Sequence, residues 1–166
     1  MTDRGARQET AELLRLVADA GIEHVVVGGV AAIAWGGAEF TQDLDIVIPF
    51  DVPRITRLMA ALAPHRPRHW TRPDLGVISD RPEYLATFRM LLLLTDLGHI
   101  DVLRVCEPVG DYERLHLRAG TLELDGRTHE LIDIDDLIAV KEHVARPKDL
   151  VTAVQLRAIR SKLPPR

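Results

Sequence analysis

Asp43 and Asp45 stand two residues apart in the run Asp43-Leu44-Asp45-Ile46, and side chains two apart on a strand share a face. Leu44 and Ile46 would then point into the core and lock the register. Two carboxylates so close repel each other, and a divalent cation relieves that repulsion. Mg²⁺ is the natural match, because it takes carboxylate oxygens and shares the rest of its shell with phosphates and water. A third acid, Asp101, lies in a second apolar run, Ile100-Asp101-Val102-Leu103. If the two runs are neighbours in one sheet, three carboxylates converge and can hold two metal ions. Such a pair activates an attacking hydroxyl and stabilises leaving pyrophosphate in an in-line displacement. Gly28-Gly29 ends a short β-branched run. Glycines there let backbone N–H groups approach a phosphate, with the N-terminus of the next helix behind them. Taken singly, the features have plainer readings: a tight turn for the glycines, a solvated strand end for Asp43 and Asp45, an edge charge for Asp101. Their conjunction points to phosphate chemistry.

The elements that must position these residues follow from periodicity and breakers. Leu13, Leu16, Val17 and Ala20 recur at helical spacing, and Gly21 stops the helix. Residues 24–27 form a strand, 30–35 a small-residue helix, and 44–48 a second strand ended by Pro49. A helix over 54–62 leads into an irregular stretch containing Pro64, Pro67 and Pro73. Strands over 88–94 and 99–105 form a hairpin through Thr95-Asp96-Leu97-Gly98, and a second hairpin crosses Asp125-Gly126. Two helices close the chain, over 135–145 and 147–162, with Pro147 in the first turn, where its missing N–H is no loss. The expected architecture is one α/β (α+β) domain, with a catalytic core over 1–132 and a helical tail over 133–166.

Composition narrows the class. The chain has 166 residues, 46% hydrophobic and 28% charged, the balance of a folded domain. The longest aliphatic or sulfur-containing stretch, Met90 to Leu94, is far short of the ~20 residues that span a bilayer. The charged start, without an apolar signal core, leads to the expectation of a cytoplasmic protein without a membrane partner. A single cysteine, Cys106, excludes an intrachain disulfide and a thiolate zinc cluster. Charge is uneven: residues 74–136 carry six basic against fourteen acidic side chains, whereas 137–166 carry seven basic against two acidic. That distribution suits divalent metal in the body and either a polyanion or plain solvated helix surface at the tail.

These residues carry a resemblance to a known family. Val27-Gly28-Gly29, then Asp43-Leu44-Asp45-Ile46 after an interval of thirteen residues, then Ile100-Asp101-Val102, is similar to the pattern of the nucleotidyltransferase superfamily, which shares its fold with DNA polymerase beta. Thr41-Gln42-Asp43-Leu44-Asp45, with Lys141 and then Arg146-Pro147-Lys148-Asp149-Leu150, resembles the small bacterial branch that includes AbiEii- and MenT-like toxins. The resemblance implies a mixed central sheet flanked by helices, with a C-terminal helical tail. It implies transfer of a nucleoside monophosphate from an NTP to an acceptor hydroxyl, with release of pyrophosphate. Asp43, Asp45 and Asp101 would be catalytic and hold two Mg²⁺ ions (or Mn²⁺). Gly28, Gly29, Thr41, Lys141 and Lys148 would bind nucleotide. The toxin branch further implies tRNA or another RNA as acceptor and a cognate antitoxin as partner. A small-molecule, aminoglycoside-type acceptor is the alternative, as is a catalytically silent nucleotide-binding or antitoxin-like module. The last is suggested by Glu39, which stands where the family commonly has Arg.

The remaining charged residues divide by context. Lys141 lies on the apolar side of its helix with Leu137, Val140 and Val144, and reads equally as a phosphate ligand or a surface lysine with a buried stem. Asp149 reads as a helix N-terminal acid favoured by the dipole. Asp133-Ile134-Asp135 mimics the acid-pair spacing without a preceding diglycine, and reads as capping acids. His65 and His69 are no helical metal pair with Pro67 between them, and Cys106 reads as a small packing residue.

Overall fold

The apolar runs assemble into a mixed sheet of seven strands. The structure is a computed structural model and describes residues 7–78 and 81–165. The amino-terminal stretch read above for a signal core, and Arg166 of the basic tail, lie outside the described residues. The strands are β1 (Val25–Val27), β2 (Asp43–Val47), β3 (Arg68–His69), β4 (Met90–Thr95), β5 (Gly98–Leu103), β6 (Val105–Cys106), β7 (Gly110–Asp111), β8 (Gly120–Leu124) and β9 (Arg127–Leu131). The order in the main sheet is β3-β4-β5-β2-β1-β9-β8, and β6 pairs with β7 separately. β2 runs antiparallel to β1 and parallel to β5, β1 runs parallel to β9, and the β3–β4, β4–β5 and β8–β9 pairs are antiparallel.

Alternation along β2 decides what faces the core. Leu44 and Ile46 are fully buried while Asp43 and Asp45 take the other face, and β5 repeats the pattern with Ile100 and Val102 buried beside Asp101. The helices are α1 (Thr10–Asp19), α2 (Gly28–Ala34), α3 (Val52–Leu62), α4 (Pro82–Leu85), α5 (Tyr112–His116), α6 (Ile134–Val144) and α7 (Pro147–Arg160). α1 and α3 contribute Leu13, Leu14, Val17, Ile55, Leu58, Met59 and Leu62 to the core. Side chains of this size each stabilise the fold by roughly 1.5–3 kcal/mol when buried. Caps fix the helix starts: Asp51 accepts from Arg54 N at 2.9 Å, and Asp133 accepts from Asp135 N at 2.9 Å and Asp136 N at 3.3 Å. The capping reading of Asp133 thus holds, with Arg118 as an added ion-pair partner at 3.1 Å. Among the described residues no helix is long and apolar enough to cross a membrane.

Several expected boundaries shift. α2 begins at Gly28, so the diglycine is the helix's first turn rather than a loop before it. The strand expected over 99–105 ends at Leu103, and residues 105–106 pair with β7 instead. The proline-rich stretch contains the short β3, and α4 and α5 add two helices with no counterpart in the periodicity.

A buried histidine pair joins β1 to β9. His24 Nδ1 lies 2.8 Å from the Ile22 carbonyl and His24 Nε2 lies 2.9 Å from His129 Nδ1. His24 Nδ1 donates to the Ile22 carbonyl; with both rings neutral, His24 Nε2 then accepts from His129 Nδ1. Burial holds both below the ordinary 6.5, with Glu130 opposing at His24, and with His24 and Arg127 reinforcing and Glu123 opposing at His129. The unfolded chain therefore binds more protons as pH falls past 6.5, and this contribution to stability is lost toward acid. The advantage of the wild type over His129→Gln, read from urea midpoints, is expected to shrink between pH 7.5 and pH 5; a constant difference would refute the neutral pairing.

Candidate active site

The register brings the acids together. Asp45 lies directly opposite Asp101 across the parallel β2–β5 pair, and Asp43 lies opposite His99, on strands about 4.8 Å apart. The start of β2 is fixed by Thr41, whose Oγ1 donates to the Asp43 carbonyl at 3.1 Å and accepts from Asp43 N at 3.3 Å. The diglycine packs flush on this corner. Gly28 has φ +66°, and a Cβ there would meet Asp45 Oδ2 at 2.1 Å; one on Gly29 would meet Thr41 Cβ at 2.7 Å. Side chains are thus excluded at both positions by the carboxylate and the threonine themselves.

Burial and mutual repulsion raise the acids. Asp45 is pushed up to about 6, first by desolvation and then by Asp43, with Lys141 pulling it down, Glu39 pushing it up and the Gly29 backbone pulling it down. Asp101 is pushed up to about 7 by desolvation, then Asp45 and Asp43. Its Oδ1 is buried and accepts no hydrogen bond among the described residues. Asp101 ionises near 3.8 when unfolded and near 7 when folded, so stability is lost progressively as pH rises between those values. In chelator-containing buffer, Asp101→Asn is expected to stabilise the protein at pH 8 by on the order of 2 kcal/mol, discounted for partial hydration of the site. The gain should fade as pH approaches 4 in thermal melts. An asparagine variant less stable than wild type at pH 8 would contradict the assignment.

Two of the three cations lining the site, Lys141 and Arg146, are already paired. Lys141 is 5% exposed, and its Nζ donates to Glu39 Oε2 at 2.9 Å, Glu39 Oε1 at 3.0 Å and Asp149 Oδ1 at 3.2 Å. Arg146 Nε donates to Asp149 Oδ2 at 2.6 Å, and Thr152 Oγ1 lies 3.3 Å from Glu39 Oε2. Lys141 is therefore neither a surface lysine nor a bare phosphate ligand, since its ammonium is buried along with its stem. Asp149, 1% exposed, is more than a helix-dipole acid: desolvation raises it, and Arg146 and Lys141 outweigh that to hold it below the usual carboxylate range. Glu39, read from the sequence as a lost arginine, is the partner that spans from the loop before β2 to α6. Removing one member of a buried pair leaves an uncompensated charge. Lys141→Met is expected to cost about 3 kcal/mol in denaturant unfolding, with much of it recovered by adding Glu39→Gln. An equal loss in the double variant would show that the Lys141–Glu39 pairing is not the origin of the cost.

All the predicted site residues, Gly28, Gly29, Thr41, Asp43, Asp45, Asp101, Lys141 and Lys148, line one cleft of about 250 Å³, together with Glu39, Cys106, Arg146 and Asp149. Cys106 is buried as expected, but it faces this cleft, and desolvation, then Asp45, push its thiol up to about 12. Sequence reasoning missed Glu39 as a partner; its signal was an acid where a cation was expected, with an unmatched lysine on an apolar helix face. Elsewhere in the tail, Arg157 pairs with Glu142 at 2.7 Å and Arg160 with Asp135 at 3.0 Å, so part of the basic excess is matched within the chain. Among the described residues no three acidic, histidine or cysteine side chains close into a ready metal cage. The three acids form instead an open array with one buried, unpartnered oxygen. This suits a hard cation that keeps waters and shares its shell with phosphates.

No family model matches the chain, and no curated sequence does. Solved structures do. The lincosamide antibiotic adenylyltransferase LnuA, bound to lincomycin, superposes with TM-score 0.62 at 12% identity, covering 93% of this chain and 99% of that one. ANT(2'')-Ia in complex with adenylyl-2''-tobramycin superposes with TM-score 0.54 at 14% identity, covering 90% and 94%. An antigenic nucleotidyltransferase-like protein from Paracoccidioides brasiliensis gives TM-score 0.52 at 16% identity, covering 95% and 76%. The chain has the nucleotidyltransferase fold.

Proposed function

We propose that the protein is a divalent-metal-dependent nucleotidyltransferase that moves a nucleoside monophosphate from an NTP to an acceptor hydroxyl. The observation that carries this reading is the pairing of Asp45 with Asp101 in one cleft with Asp43 and the diglycine. Asp43 and Asp45, with the unpartnered oxygen of Asp101, are the residues that would hold Mg²⁺ or Mn²⁺. The bound cation would offset the charge of carboxylates and phosphates and polarise the transferred phosphorus. Asp101, opposite Asp45 in the cleft, is placed to take the acceptor's proton. As it does so, the acceptor oxygen bonds to the α-phosphorus, the bond to the bridging oxygen breaks, and pyrophosphate leaves. Gly28 and Gly29 bring bare backbone to the phosphate side of the cleft, and Lys148 adds an exposed cation there. The Lys141 network holds the loop before β2 against α6 and α7 and so positions the carboxylates.

The toxin-branch resemblance gives RNA as acceptor and an antitoxin as partner. The matched charges of Arg146, Arg157 and Arg160 weaken the electrostatic case for RNA and favour a small acceptor, the class named for LnuA and ANT(2'')-Ia. Incubation with α-labelled NTPs, Mg²⁺ and separate pools of RNA, protein and small hydroxylated compounds tests the reading. Label is expected in the small-molecule pool, reduced at least about a hundredfold by Asp43→Ala, Asp45→Ala or Asp101→Asn. Label on RNA 3′ ends would restore the toxin-type reading. Nucleotide binding without transfer to any pool would establish the catalytically silent module.

A further inference from the structure

Strand β4 is apolar on both faces although only one is covered. Leu91 and Leu93 are fully buried, whereas Met90 is 44% exposed, and Leu92 and Leu94 are half-buried and stand outside the core cluster. A strand with one solvated face ordinarily carries polar residues there, whereas this row is apolar along its length. This face is the one that bears the carboxylates. Leu92 lies opposite Asp101, Leu94 opposite His99 and Met90 opposite Leu103 on β5, and directly paired residues of neighbouring strands share a face. Leu103 also lines the cleft of Asp45 and Asp101, so patch and cleft are continuous.

An aromatic wall closes one end of this floor. Trp70 follows β3 and donates its N–H to the Leu92 carbonyl at 3.0 Å. Its ring is 50% exposed and meets the His99 ring edge-on at 6.1 Å, although β4 runs between their strands; the two rings therefore lean together over β4. His99 is held in place from below, since Gln8 Oε1 accepts its N–H at 2.8 Å and Gln8 Nε2 donates to its carbonyl at 3.0 Å.

Resting on the transferase reading, we propose that this face is the acceptor subsite. It takes a small hydroxyl-bearing molecule with an apolar or aromatic ring face and no negative charge, laid over Met90, Leu92 and Leu103 against Trp70 with its hydroxyl at Asp101. Size and charge select this occupant. Three strands about 4.8 Å apart and five residues at about 3.4 Å each give a footprint on the order of 150 Å². That is ring-sized and well below the ~800 Å² each partner of a stable protein pair buries. Before a cation is bound, Asp43, Asp45 and Asp101 at its border repel a negatively charged occupant.

Phenyl β-D-glucoside, glucose and phenyl phosphate serve as probes, followed by NMR of the wild-type protein without nucleotide. Phenyl glucoside is expected to shift the Trp70 indole and the Leu92, Leu94 and His99 amides, with glucose and phenyl phosphate binding far more weakly. Trp70→Ala and Met90→Asp, both at exposed positions, should each weaken it about tenfold. No shift at these residues, unchanged affinity in both variants, or a dimer dispersed by Met90→Asp would overturn the subsite. In the labelling assay the same variants should raise the acceptor KM about tenfold with kcat and the NTP KM unchanged. Glucoside binding here without any nucleotidyl transfer overturns the transferase reading and the acceptor role together, leaving a bare ligand site. Transfer with an acceptor KM indifferent to both variants overturns the subsite alone.

Discussion

The alignment of β2 with β5 is the constraint on which the site depends. It places Asp45 opposite Asp101 against the desolvation and the mutual repulsion that lift both acids. Raising a carboxyl by one pKa step costs about 1.4 kcal/mol in the ionised form, so the two acids together oppose the arrangement by several kcal/mol at most. Leu44, Ile46, Ile100 and Val102 lie on the opposite face of the same two strands and are fully buried. At roughly 1.5–3 kcal/mol each, they outweigh that opposition. A slip of β2 by one residue would turn Leu44 and Ile46 outward and send Asp43 and Asp45 into the core. The apolar face therefore holds the charged face in place, and the acids need no attraction of their own to meet.

Much of this was legible because it is local. The alternation through residues 43–47 and the diglycine are short-range patterns. So is the Asp125-Gly126 turn, where both residues have positive φ as a tight hairpin demands. Even the pairing of β2 with β5 could be anticipated, since both runs carry an acid among buried aliphatics. What the sequence concealed is long-range. β3, α4 and α5 are too short for a periodic signature and form where tertiary packing holds them. Lys141 finds Glu39 across 102 positions, and no spacing rule links a lysine in one helix to an acid in a distant loop. The tail's excess of basic residues likewise counted charges without their partners outside it, Glu39 and Asp135 among them.

Neighbouring strands of the sheet differ in how far packing closes them. β1 is buried along its whole length, and hydrogen-bonded strands flank it on both sides. β4 and β5 are buried on one face only. Catalytic side chains in a fully packed region would lose access, and in a flexible loop they would lose alignment. A strand between the closed β1 and the half-open β5, the place of β2, meets both needs. That is where Asp43 and Asp45 are.

Charge around these two acids sets the terms for any anion. Glu39, Asp43, Asp45, Asp101 and Asp149 line the cleft against Lys141, Arg146 and Lys148. Lys141 and Arg146 are already engaged by Glu39 and Asp149, which leaves Lys148 as the lining cation that no ion pair in the described residues occupies. A triphosphate entering such a cleft meets more negative than positive charge, in surroundings where desolvation has already raised two of the acids. Coulomb repulsion is stronger there than in water, so an anionic ligand is stable in the cleft when it brings its own counter-charge. Among the described residues that line the cleft, the buried oxygen of Asp101 lacks a hydrogen-bonding neighbour, and the same incoming cation that carries the phosphates would satisfy it.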